Sequence, residues 1–145
     1  PIPYEEAQKK TLLGRVVEVA RAVKSGIGVW LEMFGPDGRP VADELAEKRA
    51  AICAECPVND KVGRLEDYLI VSVVAGVKTV YEMMRSVELK TTKDEQLGIC
   101  RTCICPLKAK VHTKLPHILN HLPPTVKTEL PINCWIHREQ WPDPQ

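Results

Sequence analysis

The chain has 145 residues, 44% hydrophobic and 27% charged, and its twenty Lys plus Arg against nineteen Asp plus Glu give a net charge of +1. That balance suits one folded domain with a single core, and it excludes a polycation, a polyanion or a wholly disordered chain. No apolar run reaches the ~18 residues of a membrane-spanning helix, and the opening PIPYEEAQKK lacks the cationic-then-apolar plan of a secretion signal, so the reading is an intracellular, cytoplasmic chain.

Residues 4–25 carry an amphipathic helical pattern, with Leu13, Val16, Val17, Ala20 and Val23 three or four apart and Glu18 and Arg21 between them. SGIG at 25–28 ends it. Trp30, Leu31, Met33 and Phe34 then form a short apolar anchor ahead of the turn-rich GPDGRP at 35–40. A second helix is predicted over 42–54, with Asp43 near its start and Leu45, Arg49 and Ile52 sharing a face with the cysteine that follows. Pro57 cannot continue that helix, so Cys53 and Cys56 sit at its C-terminal end, with Asn59 and Asp60 supplying turn chemistry beyond.

Residues 64–88 hold the longest periodic stretch, in which Leu69, Val73, Val77, Val80, Tyr81 and Met84 follow helical spacing. The β-branched LIVSVV at 69–74 would also suit a buried strand, and length favours the helix. A polar linker at 90–98 leads into CRTCIC. Thr113 is placed to cap a short helix over 115–122, and Pro123, Pro124 and Thr125 to start another over 124–130, before Cys134 and a proline-rich WPDPQ tail.

The chemistry lies in the six cysteines. Cys53 and Cys56 form one C-x2-C, while Cys100, Cys103 and Cys105 form C-x2-C-x-C, and Cys134 adds a sixth sulfur from further along the chain. This content is below the ~8–10% of disulfide-built proteins, and paired C-x2-C sequences in a reducing compartment are more often metal ligands than disulfides. Zinc takes four sulfurs tetrahedrally at about 2.3 Å, so Cys53, Cys56, Cys100 and Cys103 are the simplest ligand set. The pairs are 43 residues apart, so a whole helix is inserted between them. With Cys105 and Cys134 the six sulfurs would also suit two zinc ions with bridging thiolates, one zinc with an exchanged ligand, or an iron-sulfur cluster, for which the Cys-Pro steps at 56–57 and 105–106 speak although the C-x2-C-x2-C run of ferredoxin-type motifs is absent. His112, His117 and His121 are further nitrogen donors, the last two one helical turn apart; each alone is more often a polar surface or helix-end residue, and His137 is weaker still.

From Leu97 to Thr128 there are no acidic residues, whereas Arg101, Lys108, Lys110, Lys114 and Lys127 are basic. These cations would offset a four-thiolate zinc site, whose net charge is about −2. The sharper alternative is a nucleic-acid-binding zinc module that presents the basic 101–127 segment to phosphates; the absence of interleaved aromatics and the near-zero net charge favour the first account. No phosphate-cradling glycine loop, G-x-S-x-G, H-E-x-x-H or zinc-deaminase signature occurs, so the reading is non-enzymatic.

The order Arg49, Cys53, Cys56, Pro57, then Cys100, Cys103, Cys105, Leu107 and Lys110, then Cys134 with Trp135, resembles a group of small cysteine-rich proteins of phage and uncharacterised bacterial genomes. The resemblance spans about residues 49–135, with long insertions after Cys56 and Cys105 and without the proline that often follows the last cysteine. It implies a metal-binding, zinc-binding module. The combined expectation is a mostly α-helical single domain over 1–145, helical over 1–90, with a metal knuckle at 49–56 plus 98–135. Its role would be structural or protein-interacting, in a phage virion or assembly component for example, with a protein partner or self-assembly and no small-molecule substrate.

Overall fold

The computed structural model describes residues 30, 33–35, 38–68, 71–122 and 124–140. The helix predicted over 4–25, its SGIG stop, Leu31 and the WPDPQ tail lie outside them.

Helix α1, Asp43–Ala54, carries Asp43 and Glu44 in its first turn, where carboxylates favour the exposed backbone N–H groups. Its buried face is Ala46, Arg49, Ala50, Cys53 and Ala54, an i, i+3, i+4 series made mostly of small residues. The helix ends before Cys56 and Pro57, as the sequence requires.

Helix α2, Val71–Ser86, resolves the strand-or-helix ambiguity in favour of the helix. Val73, Val77, Val80 and Met84, with Val74 and Met83 beside them, are its buried stripe. It starts later than the predicted residue 64. A 3-10 turn, Leu65–Asp67, comes first, and the Asp67 carboxylate accepts from the Arg64 backbone N–H at 3.2 Å, a local bond that competes with helix continuation. The predicted linker at 90–98 contains a second 3-10 turn, Asp94–Gln96, which the Asp94 carboxylate anchors by accepting from the Thr91 N–H at 3.1 Å and hydroxyl at 2.8 Å.

A small antiparallel sheet is the feature that sequence periodicity missed. Strands β1 (Asn59–Asp60), β2 (Ile99–Cys100) and β3 (Cys105–Pro106) lie in that order, with Asn59 opposite Cys100 and Cys100 opposite Cys105. Asn59 and Asp60 are therefore ladder residues rather than only a turn. Four short helices follow: α3 (Leu107–Lys110), α4 (Leu115–His121), α5 (Pro124–Glu129) and α6 (Trp135–Gln140). Thr113 does not cap α4. It is buried, and its hydroxyl donates to the Ala109 carbonyl at 2.9 Å, leaving Lys114 at the N-cap without a side-chain cap bond.

Trp30, Met33 and Phe34 are core residues, as expected. They belong to one apolar cluster with Val77, Val80, Leu107, Ile118, Trp135 and Ile136, and Cys53, Cys100, Cys105 and Cys134 belong to the same cluster. The fold is thus mostly helical, with the sheet placed where the cysteine motifs meet. Among the described residues no helix is long and apolar enough to cross a membrane.

Candidate metal centre

The sheet joins the two cysteine motifs despite their distance in sequence. Asn59, three residues past Cys56, stands opposite Cys100, and Cys100 stands opposite Cys105. The Asn59 side chain fastens this junction: its amide N–H groups donate to the carbonyls of Cys53 at 2.9 Å and Gln96 at 2.8 Å, and its oxygen accepts from the Gly98 N–H at 3.0 Å. At Gly98 the strands approach so closely that a Cβ would fall 1.7 Å from the Asp60 carbonyl oxygen. Only glycine fits there.

The CRTCIC segment turns tightly between β2 and β3. The Ile104 N–H donates to the Cys100 carbonyl at 2.8 Å, and Ile104 itself takes a left-handed φ of 54°, unusual for a β-branched residue. This turn brings the Cys103 backbone N–H to the Cys100 sulfur at 3.5 Å. The Arg101 N–H donates to the Val58 carbonyl at 2.8 Å, so the turn is tied to the loop that follows Cys56.

Cys134 arrives with α6. The next residue, Trp135, points inward and donates its indole N–H to the Cys53 sulfur at 3.2 Å. Lys110, at the end of α3, is 1% exposed and donates its ammonium to the Cys103 sulfur at 3.4 Å. The sulfurs form a connected electrostatic set: Cys53 interacts with Cys134 and Cys56, Cys134 with Cys100 and Cys56, Cys100 with Cys103, and Cys103 with Cys105. The fold therefore gathers all six cysteines into one region. All six are free of disulfide bonds.

The donor chemistry suits thiolate ligands. Sulfurs of Cys53, Cys100 and Cys103 accept hydrogen bonds from an indole, a backbone amide and an ammonium respectively, the kind of outer contacts that orient metal-bound thiolates. Burial acts the other way on the acid–base balance. It pushes the Cys53 thiol up to about 11 and raises Cys134, while donating its thiol proton to the Cys103 sulfur raises Cys100. Burial opposes the Lys110 ammonium, and only thiolate charge on Cys105, Cys103, Cys134 and Cys100 lifts the lysine above its ordinary value. Among the described residues no three His, Cys, Asp or Glu side chains stand in an arrangement that could hold an ion. The Cys105 thiol donates to the Cys103 carbonyl, at 3.5 Å.

The ring nitrogens of His112 and His137 do not meet sulfur. His112 is fully buried with both ring nitrogens unpartnered, and the charges that act on it most strongly are Asp94, Asp43, Arg49 and Glu47. The His137 ring nitrogen lies 3.3 Å from the Leu130 carbonyl. His117 and His121 are half-buried on α4.

Arg49 organises the shell around the sulfurs. Its guanidinium is 1% exposed, forms a two-pronged pair with Glu139 at 2.9 and 2.6 Å, donates to the carbonyls of Val111 at 3.1 Å and Thr113 at 2.7 Å, and lies 4.2 Å from the centre of the Trp135 ring. One side chain thus fixes α1, α6 and the turn after α3. A cavity of about 550 Å³ opens beside Cys56 and Cys134, walled by Ile52, Pro57, Pro131 and Ile132. Cys56 and Cys134 are the two cysteines that line it.

No protein-family model, curated protein or solved structure matches the chain.

Proposed function

We propose that the chain is a non-enzymatic metal-binding module, with zinc held by cysteines drawn from Cys53, Cys56, Cys100, Cys103, Cys105 and Cys134. The observation that carries this reading is the convergence of three separated cysteine segments on one region in which N–H donors point at sulfur. A metal there ties α1 to the β2–β3 turn and to α6, so its binding energy becomes folding energy. The role is structural, or to fix a protein-interaction surface, as in a phage virion or assembly component of the kind the sequence resembles.

The burial of Lys110 removes one cation from the 101–127 segment that a nucleic-acid reading would use. Arg101 is likewise engaged, donating to the Pro57 carbonyl at 2.6 Å. Lys110 serves the sulfur site and not a phosphate backbone.

The test is purification without oxygen or chelator, followed by elemental analysis and visible spectroscopy. A colourless protein carrying zinc is the expected result. Visible absorbance with iron and sulfide would replace zinc by an iron-sulfur cluster, and a chain carrying neither metal would overturn the reading.

A further inference from the structure

The starting observation is a buried charge that lacks a carboxylate. Lys110 is 1% exposed, and lysine is rarely so deeply buried unless paired. Among the described residues no carboxylate forms an ion pair with it. Its neighbours are the Cys103 sulfur at 3.4 Å and the face of the Trp135 ring, whose centre is 5.3 Å from the ammonium.

Neutral thiols are poor counter-charges for a buried ammonium, and an unpaired ion in a low-dielectric core is unfavourable. Four thiolates on one divalent ion carry a net charge of about −2, which a fixed cation at this distance would reduce to about −1. Resting on the metal reading above, we infer that Lys110 is the charge-balancing residue of the sulfur site, its ammonium unfavourable in the metal-free chain and favourable once thiolates gather on a metal ion. Lys110 is then a positioning residue and not a ligand. Its placement at the end of α3, one turn beyond β3, follows from the same short connection that presents Cys103 and Cys105.

This assignment makes two readouts move in opposite directions. The experiment uses the full chain and zinc ion, with affinity measured by competition against a chromophoric chelator and metal-free folding followed by circular dichroism in EDTA. Lys110→Met should lower zinc affinity about 10- to 100-fold, the usual effect of removing an outer contact, while the metal-free variant is at least as folded and melts no lower than metal-free wild type. Lys110→Gln, which keeps a hydrogen-bond donor without the charge, should lose affinity likewise. Lys108→Met, on the same short helix, should bind as wild type does.

Wild-type affinity in Lys110→Met or Lys110→Gln would overturn the inference, as would a metal-free Lys110→Met that is less folded than its parent. An equal loss in Lys108→Met would reduce the effect to general surface charge and overturn it too. A wild-type chain that takes up no zinc would instead sink the metal reading itself, a failure visible before any variant is compared.

Discussion

The Trp135 indole N–H donates to the sulfur of Cys53 across 82 residues of chain, at 3.2 Å, while the Arg49 guanidinium lies 4.2 Å from the centre of the same ring. Arg49 precedes Cys53 by one helical turn, so one face of α1 supplies both the sulfur and the cation that clamp the indole. The last cysteine segment is held to the first through tryptophan before any metal is considered.

Arg49→Met should therefore be one of the more damaging single changes in the described part of the chain. It would leave Glu139 and the carbonyls of Val111 and Thr113 without their donor and remove the contact with Trp135. A loss of about 3 kcal/mol is expected, in the range for breaking a buried charged network. Arg49→Lys should recover less than half, because an ammonium cannot reproduce the planar fork. Urea unfolding of the two variants measures both numbers.

Gly98→Ala should disrupt the junction of the cysteine motifs. The added Cβ would meet the Asp60 carbonyl oxygen at 1.7 Å, and backbone cannot move aside as a side chain can. Separation of β1 from β2 would displace the Asn59 bonds to Cys53 and Gly98. Loss of about 3 kcal/mol or more in thermal or urea unfolding is the expected outcome, within the upper range of single substitutions.

Much of this architecture could be read from residue order. The end of α1 at the first cysteine pair follows from Pro57, and the helical identity of 71–86 follows from the spacing of Val73, Val77, Val80 and Met84. The two-residue strands could not be read that way, since Asn59 and Asp60 carry no alternation long enough to register and their pairing with Ile99 and Cys100 is a tertiary contact. Lys110 was equally hidden: among Lys108, Lys114 and Lys127 it resembles one more basic residue of a polar segment, and only folding turns it onto sulfur. His112 stood out as a spare donor, but the turn after α3 places it among Asp94, Asp43, Glu47 and Arg49. Arg49, one helical turn before Cys53, and Trp135, next to Cys134, did sit beside cysteines in the sequence, and both have contacts at the sulfur cluster or its shell.

His112 predicts a pH dependence. Burial holds its pKa below the ordinary 6.5, and nearby Asp94, Asp43 and Glu47 only partly oppose this, while Arg49 adds to it. The unfolded chain therefore binds more protons than the folded one as pH falls through about 6.5, and stability declines on the acid side of that value. Between pH 7.5 and 5.5 the melting temperature of wild type should fall more than that of His112→Leu. At pH 7.5 the variant should be at least as stable, because it removes two buried unpartnered nitrogens. Parallel pH profiles would contradict the account.

Cysteine accessibility is also graded. Cys56 is half-buried and Cys134 is 8% exposed, and both line the outer cavity, whereas Cys53, Cys100 and Cys105 are absent from its wall. Brief treatment of the folded, chelator-treated chain with iodoacetamide should label Cys56 and Cys134 before those three. Peptide mass mapping against time reads the order, and first labelling at Cys100 would contradict the geometry. Zinc added beforehand should slow the labelling of the cysteines that bind it.

The most direct test of the central claim is native mass spectrometry of the chain before and after a chelator, with melting temperature followed on the same samples. The account predicts a mass excess of one or two zinc ions per chain that the chelator removes, together with a clear fall in melting temperature. A polypeptide of bare mass from zinc-replete cells, melting identically with and without chelator, would contradict it.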